Sequence, residues 1–308
     1  MDVLSDVIAL VRSGQARSAR VAWHGSWGQR FPSAPGSAGF QVILEGSCWL
    51  IPPSGDPVAL GAGDVVFFPH GHGYALADDP SVPPAEALCD PLEDAELFVS
   101  DSRGRDGPVT VTLCGGYRLD LRHAHPLLRD LPEVIHLPVR PGHHPELRAA
   151  VGLLGDEVGN PRPGADTLVP ALLDMLLLYI LRACFAQAAT PAKATGWAAA
   201  IADPAVGAAL HAIHRDPAHP WTVQALAVQA GLSRAAFAGR FTALAGRPPM
   251  TYLTWWRLTV AAGLLRDSDA PLSEVAARIG YLSEFAFASA FKREYGIAPG
   301  KYRHSLRA

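Results

Sequence analysis

Cysteine is scarce. Cys48, Cys89, Cys114 and Cys184 are the four in 308 residues, and none forms a Cys-x-x-Cys pair or another close metal-ligand spacing. That excludes a zinc ribbon or a tight four-cysteine cluster, and free thiols in a reducing compartment are the expectation. Charge is sparse too, at 18% of residues against 49% apolar, which excludes a chain kept disordered by self-repulsion. Long apolar runs are lacking: residues 168–181 (LVPALLDMLLLYIL) fall short of the roughly 20 residues that span a bilayer. Pro170 and Asp174 interrupt that run, so a packed helix and no membrane partner are expected. The opening MDVLSDVIALVRSG puts acids before its apolar residues, unlike a secretory signal, and a cytoplasmic location follows as an expectation. No Ser-His-Asp order, P-loop or Gly-x-Gly-x-x-Gly after a strand rises above chance.

What is present is an asymmetry of charge. Residues 197–308 hold 12 Lys+Arg against 7 Asp+Glu, a balance of +5, while the other 14 against 22 give −8, and the two sum to the −3 of the whole chain. A basic segment joined to an acidic one suggests a polyanion-binding module attached to something else.

The predicted elements follow the same division. Between about residues 38 and 137, short apolar runs (FQVILEG, SCWLI, PVAL, DVVFFP, ELFVS, VTVTL, YRLDL, VIHLP) alternate with Gly, Pro and Asp turns, the pattern of an antiparallel sandwich or barrel. Beyond Pro145 the pattern turns helical, in PELRAAVGLLGDEV and in the run from Leu168, and QAATPAKATG (187–196) has linker composition. The fold class expected is α+β, divided into 1–144, 145–196 and 197–308.

The last third contains an internal repeat. LAVQAGLSRAAFAGRF (226–241) resembles VAARIGYLSEFAFASAF (275–291), with Gly231 matching Gly280 and Ser233, Phe237 and Phe241 matching Ser283, Phe287 and Phe291. Each copy supplies an apolar helix, a Gly for a turn with positive φ, a capping Ser and a second amphipathic helix. That is helix-turn-helix grammar. The i,i+4 phenylalanines point into a core and leave the opposite face for a partner. Between the copies, residues 252–265 read as one helix with Leu253, Trp256, Val260 and Leu264 in a stripe.

From about Trp221 to Arg303, these segments resemble the DNA-binding domain of the AraC/XylS family, together with the WWRL connector and the closing IAPGKYR. The resemblance implies an all-α double helix-turn-helix domain that binds double-stranded promoter DNA, and RNA polymerase as a further partner. It places DNA contacts at Ser233, Arg234, Ala235, Ala238, Gly239 and Arg240 in the first unit. In the second it places them at Ser283, Glu284, Phe285, Ala288, Ser289 and Lys292. Several of these side chains are too short to reach base edges, which leaves Arg234 and Arg240 as the long donors and Glu284 as an acceptor for cytosine. Phosphate contacts and DNA shape would carry more of the binding.

FQVILEGSCWLI, LGAGDVVFFPHG, TLCGGYRLD and HPLLRDLPEVIHL resemble the cupin-type sensor domain of one AraC subgroup. The resemblance implies a barrel that binds a small-molecule effector, with no enzyme activity and no cofactor. Gln41, His70, His72 and Tyr74 are the polar residues expected at its pocket. The first strand offers Gln41 where metal-binding cupins carry a His pair. A metal-dependent enzyme or metal sensor is the alternative, with His70 and His72 completed by His123, His125 or Cys114. Cys114, beside Gly115 and Gly116, is a better redox candidate than Cys89, whose acidic surroundings raise a thiol pKa. The stripe Leu172, Leu173, Leu176, Leu177, Ile180 and Leu181 either pairs two chains as a homodimer or packs on the barrel.

Overall fold

The computed structural model describes residues 3–11, 15–86, 97–118, 126–140, 142–188 and 196–305. The chain divides into two compact units: Arg12–Gln187 form one, and Met1–Val11 together with Ala188–Ala308 form the other. These boundaries differ from the three-way division read from the sequence. Helices after Pro145 belong with the sheets, and the N-terminal residues belong with the basic C-terminal unit.

Among the described residues, the first unit has ten strands: β1 Arg17–His24, β2 Gly28–Phe31, β3 Ser37–Glu45, β4 Ser47–Ile51, β5 Val58–Gly61, β6 Val65–Phe68, β7 Tyr74–Ala77, β8 Phe98–Arg103, β9 Val109–Arg118 and β10 Ile135–Leu137. Six of them form a sheet in the order β10-β6-β3-β9-β1-β8, and four form a second in the order β2-β7-β4-β5. Trp23, Ile43, Val66 and Phe68 from the larger sheet meet Cys48, Leu50, Leu60 and Leu76 from the smaller in one buried cluster. Pairing is antiparallel as expected, except that β1 and β8 run parallel, Ser18 opposite Phe98 through Trp23 opposite Arg103. Strand β8 thus runs in the same direction as β1, an arrangement that a hairpin reading of short runs does not contain.

Strand alternation assigns two faces to β3. Phe40 and Val42 oppose Phe67 and Val65 on one side, and Gln41 opposes Val66 on the other, the side of the inter-sheet cluster. Gly115 in β9 is glycine because a Cβ there would stand 2.5 Å from the ring of Phe40. After the short N-terminal helix α1 Val3–Val11 and the single turn α2 Pro126–Arg129, the two helices expected beyond Pro145 are α3 Pro145–Gly159 and α4 Ala165–Ala188, which pack on the outer side of the larger sheet.

Helix α4 is longer than its apolar core suggested: 23 of its residues, at mean hydropathy 2.0, have the length and composition to cross a membrane. Pro170 and Asp174 lie within it. Its stripe is buried in the single chain, with Leu173, Leu176, Leu177, Ile180 and Leu181 at 1% exposure or less. Tyr117 of β9 donates its hydroxyl to the Leu173 carbonyl at 2.7 Å. Of the two roles open to that stripe, packing within the chain is the one observed.

The second unit contains α5 Trp197–Ala202, α6 Pro204–Arg215, α7 Val223–Gln229, α8 Arg234–Ala245, α9 Pro249–Asp267, α10 Leu272–Arg278, α11 Glu284–Tyr295 and α12 Pro299–Ser305. The repeat takes the form expected of it. Gly231 and Gly280 have φ of 65° and 81°, the left-handed region that glycine enters without penalty. Ser233 and Ser283 cap α8 and α11 by accepting from the Ala236 and Ala286 amides. The connector α9 is 19 residues, about 28 Å at 1.5 Å per residue. N-terminal α1 packs against α6 and α9. There Asp6 lies 3.3 Å from Nδ1 of His214, whose Nε2 is 2.6 Å from the Tyr252 hydroxyl, and the His214 ring stacks on Trp256 at 3.7 Å.

Candidate nucleic-acid interface and ligand cluster

Helices α8 and α11 each bury one face and present the other. Phe237, Phe241, Phe287 and Phe291 are fully buried, and the last two lie in a core with Leu258, Leu265, Val275 and Ile279. The opposite faces carry the expected contact residues. Ser233, Arg234, Ala235, Gly239 and Arg240 are exposed on the first, Ser283, Glu284, Phe285, Ser289 and Lys292 on the second, and Ala238 and Ala288 are half-buried. Both faces belong to the unit that holds the basic balance.

Two details change the expected roles. Arg240 is not an unengaged donor: its guanidinium pairs with Asp203, its Nε donating at 2.8 Å. Asp203 is the N-cap of α6, and the same carboxylate accepts from the Ala205 and Val206 amides. Partial burial pushes the Asp203 pKa up, and the hydrogen bonds from Arg240, Val206 and Ala205 more than offset it, so the carboxyl sits below its ordinary value. The pairing follows from an N-cap aspartate of one helix lying beside the last turns of another, which no local spacing reveals. Arg234, by contrast, has no ion-pair partner among the described residues. The second detail is apolar: Phe285 is 86% exposed at the start of α11, and Leu282, three residues earlier, is fully exposed. An exposed aromatic ring has the apolar chemistry to meet the methyl group of a thymine.

In the first unit the structure brings Gln41 and Tyr74 together. Gln41 is 1% exposed, and its Nε2 donates to the Tyr74 hydroxyl at 2.8 Å. Its Oε1 is buried with no hydrogen-bond partner among the described residues. The Tyr74 ring stacks between Phe68 and Phe31, at 3.8 and 4.9 Å. Burial, and then the nearby Cys114, push the phenol pKa well up, against a smaller opposing effect of the Gln41 hydrogen bond. Cys114 is the direct cross-strand partner of Gln41, a neighbour recoverable only once the β3/β9 register is known.

His70 and His72 follow β6 with ring centres 5.9 Å apart. His70 donates Nε2 to the Leu131 carbonyl at 2.9 Å, and Nδ1 of His72 is buried without a partner among the described residues. No group of three metal-ligating side chains forms among the described residues. His123, His125 and Cys89 lie outside them. Cys48 and Cys184 are buried, and burial pushes both thiols up to about 12, which makes them poor nucleophiles.

A two-sheet unit and a paired helix-turn-helix unit in one chain define a DNA-binding transcription regulator. The comparisons agree: the cupin family matches residues 2–186 and a helix-turn-helix domain family matches 226–305. An AraC-like transcription regulator of Streptomyces lividans is 35% identical over 305 residues, covering 98% of each chain. The HTH-type transcriptional regulator MtrA of Neisseria gonorrhoeae is 29% identical over 307 residues, again with 98% of each chain covered. Among solved structures, the DNA-binding domain of AdpA in complex with a target DNA is 34% identical, covers 34% of this chain and 94% of that one, and has a TM-score of 0.33. The chain belongs to the AraC-like transcription regulators. It is a DNA-binding regulator rather than an enzyme.

Proposed function

We propose that the chain switches promoter binding in response to a small organic effector held between its two sheets. The observation that carries this reading is the buried, unpartnered Oε1 of Gln41 beside the Tyr74 hydroxyl. An orphaned buried acceptor costs free energy that a ligand N–H or O–H recovers. The rings of Phe31, Phe68 and Tyr74 supply the apolar wall, and His72 offers a second polar contact. Binding controls DNA occupancy only by the ligand's differential affinity for the DNA-competent and incompetent states.

On the DNA side, Arg234 and Phe285 read bases, and Ser233, Ala235, Gly239, Ser283, Ser289 and Lys292 lie against the backbone. The chain works in the cytoplasm as a homodimer that also contacts RNA polymerase. With most of the α4 stripe buried, exposed Leu153 and Leu168 and half-buried Leu172 are apolar side chains that α3 and α4 offer a second chain.

Native mass spectrometry of the full chain tests the sensor reading. A retained organic molecule, lost in Gln41→Leu, is the expected result. One transition-metal ion per chain, lost in His70→Ala/His72→Ala, would replace this reading with the metal-dependent one.

A further inference from the structure

We infer that the cleft between α3 and the β6/β10 edge of the larger sheet is a second ligand site, for an amphipathic organic anion. It is independent of the Gln41 cluster. Val65 faces this cleft and Val66 faces the inter-sheet core, so the two sites lie on opposite sides of β6.

The cleft has a volume of about 200 Å³. Its floor is apolar, with Val65, Leu137, Leu147 and Val151 all buried. One wall is the segment after β10, and its position is fixed by Asp64. That carboxylate accepts from the Val139 amide at 2.8 Å and lies 3.1 Å from Nε2 of His136. Gly63, with φ of 92°, lets the segment come close, since a Cβ there would stand 2.6 Å from Val139 Cγ2. The other wall is α3. Gly152 faces the space, and no heavy atom lies within 4 Å of where its Cβ would be.

The rim has the opposite chemistry. Arg140, His143, His144 and Arg148 border the cleft, and none has an ion-pair partner among the described residues. Glu146, next in sequence to this rim, lines the neighbouring depression with Tyr179 and Arg182. Residues 1–196 carry a net −8, so this cationic rim is set in an otherwise acidic part of the chain. His144 also has φ of 48°, the one non-glycine residue with positive φ among the described residues, in a region that side chains adopt at a cost.

Two guanidinium groups above an apolar floor select a ligand with a charged head and a hydrocarbon body. The planar fork of arginine pairs with carboxylate or phosphate oxygens, and the floor gains from covering its methyl groups. The volume is below that of a drug-sized site, so the ligand is short.

Calorimetric titration of the full-length chain with octanoate, octyl phosphate, octanol and acetate tests this. Octanoate or octyl phosphate should bind, and the tighter of the two names the head group. Octanol and acetate should bind at least tenfold more weakly, each lacking half of the match. Arg140→Ala/Arg148→Ala, both surface changes, should weaken the anion at least tenfold, as expected for lost hydrogen bonds to a charged group. Gly152→Leu should abolish binding without lowering the melting temperature, because the side chain enters empty space and leucine favours the helix. Equal binding of octanol would remove the role of the rim, and equal binding of acetate that of the floor. Binding that survives both variants and disappears in Gln41→Leu would place the ligand between the sheets. A change of oligomeric state in Gly152→Leu with no anion binding would make the cleft a subunit contact. Each of these results overturns the assignment.

Discussion

Alanine at Gly280 and at Gly231 should have unequal consequences, although the repeat makes the two positions equivalent. Both have left-handed φ, so either substitution costs about 1–2 kcal/mol of backbone strain. The gain from a less flexible unfolded chain is common to both and cancels in the comparison. At Gly231 the new Cβ meets nothing within 4 Å; at Gly280 it would stand 2.5 Å from the Ala218 carbonyl oxygen and 2.8 Å from Ala218 Cα. That backbone cannot move aside freely, because Arg257 donates to the carbonyls of Pro217 at 2.6 Å and His219 at 2.9 Å. Forcing a methyl group into such a contact costs about 1–3 kcal/mol more. The loss should fall on α10 and α11, which the glycine joins. Hydrogen exchange of their amides in the full chain reads it directly, as a larger fall in local opening free energy at α10 and α11 in Gly280→Ala than at α7 and α8 in Gly231→Ala. Equal losses, or a larger one at Gly231, would refute the reasoning.

Three further predictions concern the DNA-binding face. Arg234→Ala should cost about 1–3 kcal/mol at one base pair and little elsewhere; competition binding with single-base variants checks this, and a uniform loss would reassign Arg234 to phosphate. Arg240→Ala and Asp203→Asn should both destabilise α6 and lower affinity equally for every sequence, since the pair is internal. Because the Asp203 pKa is held below its ordinary 3.8, its contribution is complete above that value and is lost as pH falls below it, so Asp203→Asn should flatten the acid limb of a stability profile below about pH 4. Phe285→Ala should weaken binding to thymine at one position by about 1 kcal/mol, the worth of a methyl-sized apolar contact. Replacing that thymine by deoxyuridine should cost the same in the parent chain and nothing in the variant.

The repeat was legible because its signals are local. A glycine needing positive φ, a serine before a helix and phenylalanines four apart each depend on a few neighbouring residues, and all are found at the positions read. Strands β3 to β6 and β8 to β10 were marked by apolar runs between turns. Strands β1 and β2 were not: RSARVAWH and GQRF are polar on the faces they expose, and their identity comes from pairing with β9 and β7. The same non-local dependence hid the Arg240–Asp203 pair, 37 residues apart, and the docking of α1 on α6 and α9 through Asp6 and His214, 208 apart. Gln41 and Tyr74 were singled out by type and alternation; that they touch depends on β3 and β7 lying in facing sheets.

Hydroxyl-radical footprinting of the full chain on a selected binding sequence tests the central claim most directly. Two recognition helices on one connector should protect two major-groove segments on one face of the duplex, about one helical turn apart. Arg234→Ala should weaken protection of one segment and Phe285→Ala that of the other. A single protected segment, or two that respond identically to both variants, would contradict the account.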